Sequence, residues 1–226
     1  YLDKLHEKQK ETVQKISYDH SLQILNNEDQ IVFYDVTTIY FEIEREDELR
    51  RTGFSKDGKH QNPQIVLGLL VSKNGYPLAY DIFNGSQFEG HTMLPIIHSF
   101  KEKYHLKKLI IVADAGLLSQ SNIVQLINNK DEFIIGARIK NENKLLQEKV
   151  LKQRYKNGEV RVFEKGNGTR LIAAYSDNRA KKDASNRERG LKRLEKLIRK
   201  GKLTKGSINN KGYNKYLKLD GDIIIS

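Results

Sequence analysis

The chain has 226 residues, of which 38% are hydrophobic, and it carries no Cys and a formal net charge of +11. This length provides for one large domain or two small ones, and the lack of Cys excludes disulfides and thiolate-bound metals. No apolar run approaches the ~18 residues that a membrane-spanning helix requires. The composition therefore indicates a globular protein of a reducing compartment that makes no contact with a membrane.

The first predicted elements are a helical lead-in over residues 1–30 and a strand that contains an acid. The lead-in is polar, with apolar residues at helical spacing. Residues 31–41 are rich in β-branched and aromatic residues, which predicts a strand buried on much of both faces. Asp35 lies in its middle. Because an ionised carboxylate there is costly unless a cation or hydrogen-bond donors meet it, we expect Asp35 to have a functional role.

Four more strands and two helices are predicted between residues 64 and 139. The order over residues 31–140 is β-β-β-α-β-α-β, which is that of the α/β ribonuclease H-like fold, a mixed sheet with helices on its faces. In that arrangement the first and fourth strands are neighbours, so Asp35 and Asp114 are expected to face a common point. The predicted strands are 64–71, 77–83, 109–113 and 133–139, and the predicted helices follow N-caps at Thr92 and Ser119.

The last third of the chain is strongly basic. Residues 1–140 carry 17 Lys and Arg against 19 Asp and Glu, a balance of −2, whereas residues 141–226 carry 23 against 10, a balance of +13. A β-hairpin is predicted over 160–175, a basic helix over 186–200, and irregular or extended chain over 201–221. Such one-sided charge indicates a surface for a polyanion, and a merely solvated basic face stays the alternative. The helix would contact a nucleic-acid backbone through Lys192, Arg193, Lys196, Arg199 and Lys200.

Two converging carboxylates suit divalent cations that activate an oxygen nucleophile at a phosphodiester. Oxygen ligands without Cys favour Mg²⁺ or Mn²⁺ over zinc. For Asp114 alone, an acid at a helix N-terminus after a strand is an equally good interpretation. A phosphatase of the haloacid dehalogenase type is a second enzymatic alternative, but its motif requires an Asp where Thr37 stands.

Four motifs in chain order resemble the DDE transposases of bacterial insertion sequences. They are YDVTT at 34–38, GFSKD at 53–57 with PQIV at 63–66, GSQFEGHT at 85–92 and VADAG at 112–116. The resemblance implies a catalytic core at 31–140, with Asp35 and Asp114 as the first two members of a metal-binding triad, followed by a basic insert at 141–226. It further implies metal-dependent DNA cleavage and strand transfer, a homodimer in a synaptic complex, and a bacterial cytoplasmic protein that joins the nucleoid when bound to DNA.

The third acid of that family is a Glu in the pattern Tyr, two residues, Arg, three residues, Glu, six residues, Lys, and this full pattern does not occur here. Glu188 and Glu195 are preceded at the spacing of the Arg by Ala184 and Leu191. We therefore expect the third carboxylate to lie beyond Ser226, which would weaken metal binding and impair cleavage. A catalytically inactive, truncated DNA-binding relic of a transposase stays the alternative.

Supporting roles are predicted for two further sets of residues. Lys56 in the loop after the first strand could contact phosphates, with a solvated loop as an equal alternative. Arg138 after the fifth strand could neutralise a phosphate, although a surface Arg is the slightly better interpretation. The loop that contains Glu89, His91 and Thr92 is expected either to support the acids and DNA or to be a turn with a helix cap.

Overall fold

The computed structural model describes residues 9–25, 31–55, 58–106, 108–117, 119–166, 168–209 and 211–225. The chain forms two compact units, Tyr1–Arg138 and Ile139–Ser226. The three predicted domains, 1–30, 31–140 and 141–226, stay a prediction. Within the described ranges, no helix combines the length and apolar character needed to cross a membrane.

The first unit contains a five-stranded mixed sheet in the order β3-β2-β1-β4-β5. Strand β1 pairs antiparallel with β2 and parallel with β4, while β2 and β3 are antiparallel and β4 and β5 are parallel. This order confirms the predicted α/β mixed sheet and makes the first and fourth strands direct neighbours. Its elements are α1 (Gln9–Leu25), β1 (Ile31–Tyr40), β2 (Gln64–Ser72), β3 (Pro77–Asn84), α2 (Met93–Lys103), β4 (Ile110–Ala113), α3 (Gln120–Asn128) and β5 (Glu132–Ile135).

Strand β1 alternates between a buried and an exposed face. Val32, Tyr34 and Val36 are buried, whereas Phe33 and Asp35 on the opposite face are exposed. The prediction that both faces would be buried was wrong. The apolar side chains of α2 and α3 form a core with one face of β1 only. The exposed Asp35 therefore lies on a face where its charge meets water, and the desolvation argument for its role does not hold.

Helix α2 has the predicted apolar face, since Met93, Ile97 and Phe100 are each at most 3% exposed. Helix α3 begins as expected, with Ser119 Oγ accepting the backbone N–H of Asn122 at 3.1 Å. Strand β5 ends four residues before the predicted position, at Ile135.

The second unit is built from two hairpins and two helices. The predicted hairpin is confirmed, and the basic helix begins nine residues earlier than predicted, after an N-cap at Ser176. The region predicted to be irregular or extended, 201–221, ends in an extended strand, which forms a short hairpin that turns at Gly221 with φ +69°. Its elements are α4 (Lys144–Leu151), β6 (Val160–Glu164), β7 (Arg170–Ala174), α5 (Asp177–Arg199), β8 (Leu217–Asp220) and β9 (Asp222–Ile225).

Candidate active site

The two predicted acids lie at adjoining positions of neighbouring strands. The parallel ladder between β1 and β4 ends with the pair Tyr34 and Ala113, and the next residues along the two strands are Asp35 and Asp114. No strand separates them. Both residues are exposed. The register places Asp35 and Asp114 next to each other at the carboxyl end of β4, one residue beyond the last pair of the ladder.

Each carboxylate is held by a backbone N–H through one oxygen. Asp35 Oδ1 accepts the N–H of Val36 at 2.8 Å, and Asp114 Oδ1 accepts the N–H of Gly116 at 2.8 Å. The second contact is the two-residue Asp turn that commonly follows a strand end. Across the described residues, neither Oδ2 takes part in a hydrogen bond, so each acid keeps an oxygen available to a ligand.

The turn after Asp114 is formed by small residues for steric reasons. A Cβ at Gly116 would stand 3.0 Å from Asp114 Oδ1, and a Cβ at Gly136 would stand 2.7 Å from the backbone nitrogen of Ala115. Gly136 also donates its N–H to the carbonyl of Ala113 at 3.0 Å. The absence of a side chain at 136 thus lets the backbone just after β5 contact Ala113 and Ala115, on both sides of Asp114, and its absence at 116 leaves room for the Asp114 carboxylate. The sequence analysis included Gly116 in the motif at 112–116 but gave it no role, and it did not identify Gly136.

The residue types present fit a divalent metal such as Mg²⁺ or Mn²⁺, because both acids supply only oxygen donors. They would provide part of a coordination sphere. Within the described ranges, no group of three or more His, Cys, Asp and Glu side chains converges to hold a metal.

A buried hydroxyl pair connects β1 to the loop before α2. Tyr34 donates its hydroxyl to Thr92 Oγ1 at 2.8 Å, and Thr92 donates to the carbonyl of Glu89 at 2.7 Å. Burial raises the pKa of Tyr34 to about 12. The predicted helix cap by the Thr92 side chain is wrong, because this hydroxyl serves Tyr34 and Glu89 instead of an N–H of α2.

The loop residues predicted to support the acids occupy a short 3₁₀ turn, Glu89–His91. Glu89 is half-buried, whereas His91 is exposed and packs against the edge of Phe88 with ring centroids 5.3 Å apart. Arg138 is exposed three residues after β5, in the same unit as both acids. Lys56 lies outside the described residues.

The five predicted basic residues of α5 lie on one exposed face. With 3.6 residues per turn, Lys192, Arg193, Lys196, Arg199 and Lys200 fall within an arc of about 120°. The opposite side packs on its own unit: Gly190 and Leu194 are buried, and the hydroxyl of Tyr213 donates to the carbonyl of Asn186 at 2.9 Å.

One of the five cations is already paired. Lys192 Nζ lies 2.7 Å from Glu188 Oε1, and this hydrogen bond raises the pKa of Lys192. Among the described residues, the other four form no ion pair, so we expect them to be the more available to an anionic partner.

Comparison with known proteins gives one family match and several structural neighbours. A sequence model described as the transposase DDE domain matches residues 26–212. No curated protein matches the chain. The structure is similar to the piggyBac transposase synaptic complex with hairpin DNA, with a TM-score of 0.45 and 12% identity over 66% of this chain and 31% of that chain.

Two Mos1 structures are also similar. The Mos1 transposase paired-end complex with the left transposon end gives a TM-score of 0.33 and 12% identity, and the Mos1 mariner paired-end complex with Mn gives 0.31 and 13%. Each alignment covers 56% of this chain and 42% of the other, so the chain spans less than half the length of these neighbours. Because the family match extends over most of its residues, the chain belongs to the transposase DDE domain family.

Proposed function

We propose that this chain carries the first two carboxylates of a transposase active site, which cuts DNA at a transposon end and joins it to target DNA. The observation that carries the proposal is the position of Asp35 and Asp114 directly beyond the last pair of the β1–β4 ladder, in a chain of the transposase DDE domain family. The two acids come from distant parts of the sequence, and the Oδ2 atom of each forms no hydrogen bond with the described residues.

Asp35 and Asp114 would hold Mg²⁺ or Mn²⁺ through their Oδ2 atoms, while the N–H groups of Val36 and Gly116 keep each Oδ1 in place. When bound, the cation lowers the pKa of a coordinated water and offsets charge on the phosphate. In the first reaction a water oxygen forms a bond to phosphorus and the 3′ oxygen leaves as a hydroxyl. In the second reaction the oxygen of that hydroxyl forms a bond to a phosphorus of the target, and the 3′ oxygen of the target strand leaves as a hydroxyl.

DNA would be bound chiefly through the exposed face of α5. Arg193, Lys196, Arg199 and Lys200 form no ion pair with any described residue, and Glu188 partly offsets the charge of Lys192. Arg138, at the edge of the sheet where β5 ends, and Lys56 would add phosphate contacts. As parts of the same proposal, the protein acts as a homodimer in the synaptic complex and in the bacterial cytoplasm, where it joins the nucleoid.

The test measures Mn²⁺ binding by electron paramagnetic resonance in the wild type, in Asp35→Asn, in Asp114→Asn and in the control Asp220→Asn. Asp220 is an exposed carboxylate of the second unit. We expect the first two variants to bind Mn²⁺ at least about tenfold more weakly and the control to bind as the wild type does. Unchanged affinity in Asp35→Asn would refute the metal site.

Cleavage is tested on supercoiled plasmid with Mn²⁺ or Mg²⁺. We expect metal-dependent nicking that both Asp→Asn variants lose. A specific observation keeps the inactive relic as the second candidate, because the described residues provide no third carboxylate beside the pair. DNA binding and Mn²⁺ binding without nicking would favour the relic over the enzyme.

A further inference from the structure

A buried amide in the first turn of α3 bonds to two loops near the candidate site. Asn122 is 3% exposed. Its Nδ2 donates to the carbonyl of Gly90 at 2.7 Å and to the carbonyl of Leu117 at 3.0 Å. Both hydrogens of the amide are therefore used, and both acceptors are backbone groups outside α3.

One of these bonds reaches the turn that positions Asp114. Leu117 is 1% exposed and ends the turn in which Gly116 donates to Asp114 Oδ1. The β1–β4 ladder has its last pair at Ala113, so strand pairing with β1 does not extend to Asp114 itself. The position of Asp114 relative to β1 thus depends on contacts made by the turn, and Asn122 supplies one of them.

The other bond reaches a loop that is fixed to β1. Gly90 lies in the turn whose Glu89 carbonyl accepts from Thr92, and Thr92 accepts from Tyr34, the residue before Asp35. Asn122 therefore closes a buried hydrogen-bonded connection between the neighbour of Asp35 and the turn of Asp114. An apolar side chain of the same volume would fill the space between the loop at Gly90 and the turn at Leu117, but it would not fix the distance between them.

We propose that Asn122 is a positioning residue that sets the spacing of the Asp35 and Asp114 carboxylates toward one divalent cation. This inference rests on the proposed function of the two acids. Residues that orient metal ligands without touching the metal typically change metal affinity by about 10–100-fold when they are replaced.

The experiment compares Asn122→Leu with Leu126→Ala in the 226-residue chain. Asn122→Leu removes both donors at similar volume. Leu126, also on α3 and 0% exposed, has an apolar side chain that forms no hydrogen bond, so Leu126→Ala removes core packing alone and controls for a general loss of stability. Asn122→Ser, which keeps one hydroxyl donor, is the second variant if Asn122→Leu fails to fold.

Mn²⁺ affinity and line shape are measured by electron paramagnetic resonance, and the exchange of the Gly116 amide by NMR, at a temperature where all variants are folded. We expect Asn122→Leu to bind Mn²⁺ about tenfold more weakly and to exchange the Gly116 amide faster, with an intermediate loss for Asn122→Ser. Leu126→Ala is expected to stay within about twofold of the wild type, because it leaves the connection intact.

The two proposals fail in different ways. If the wild type binds Mn²⁺ through Asp35 and Asp114 but Asn122→Leu binds as Leu126→Ala does, the positioning role is wrong and the metal site stands. If the wild type binds no Mn²⁺, or if Asp35→Asn and Asp114→Asn bind normally, the metal site is wrong and the positioning role falls with it.

Discussion

Removal of four charges from α5 should change the salt dependence of DNA binding by a predictable amount. The variant replaces Arg193, Lys196, Arg199 and Lys200 with Gln and keeps Lys192, whose charge is already offset by Glu188. All four side chains are exposed, and none belongs to the packed side of the helix at Gly190 and Leu194. The fold should therefore survive the change.

The magnitude follows from the release of counterions. Residues 193–200 extend over about 10 Å of helix, and duplex DNA carries one phosphate per about 1.7 Å of its axis, so four simultaneous contacts are geometrically possible. Each contact contributes a slope of about −0.9 to the dependence of log K on log salt. The loss of four contacts should therefore reduce the magnitude of the slope by about 3.6. Between 50 and 200 mM salt, the affinity of the wild type should fall about 150-fold more than the affinity of the variant.

Fluorescence anisotropy with a labelled duplex, titrated at four KCl concentrations across that range, measures the slope. Two single variants form a matched pair one helical turn apart: Lys196→Gln should lower the slope by about 0.9, and Lys192→Gln by less, because Glu188 already neutralises part of its charge. A quadruple variant that keeps the wild-type slope within about 1 would show that this face of α5 does not contact the DNA backbone.

Three further predictions concern the framework of the site. Since burial raises the folded-state pKa of Tyr34 from 10 to about 12, its contribution to stability is complete below pH 10 and is lost as the pH rises toward 12; urea unfolding should show the advantage of the wild type over Tyr34→Phe falling by about 1 kcal/mol between pH 9 and 11. Lys101→Met should cost about 3 kcal/mol because it leaves the buried Asp131 carboxylate unpaired, and adding Asp131→Asn should recover part of this loss in the same assay. Gly136→Ala should lower the free energy of unfolding by about 1–3 kcal/mol, since the new Cβ meets the backbone of Ala115, and an unchanged denaturation midpoint would contradict the close packing.

The order of the sheet was predictable because its signals are local. Apolar runs of strand length alternate with amphipathic helical runs, and Asn74-Gly75 marks the turn between β2 and β3, where Gly75 adopts φ +85°. Asp35 was identified because it interrupts an apolar strand, and Asp114 because it follows one. Both also lie in motifs that resemble those of a known family. Their adjacency then follows from the strand order alone.

Other features depend on contacts distant in sequence and gave no local signal. Asn122 in the first turn of a helix is typical of an exposed N-terminal residue, and the sequence gives no sign of its hydrogen bond to Gly90, 32 positions away. The second face of β1 was predicted to be buried because Phe33 and Ile39 are apolar, yet they are 40% and 43% exposed. Which face of a strand is covered is decided by tertiary packing, which composition does not encode.

The residues proposed to attract DNA and the residues proposed to carry out the reaction lie in different parts of the chain. A phosphodiester that approaches Asp35 and Asp114 meets two carboxylates in a segment, residues 1–140, whose net charge is −2. Without a cation between them, these acids repel the group on which they are proposed to act. In the proposed function the attraction for DNA comes from residues 141–226, whose balance is +13, and above all from the cations of α5 that form no ion pair among the described residues. Because the two requirements are met by different residues, loss of the metal should abolish cleavage and leave the affinity for DNA largely in place.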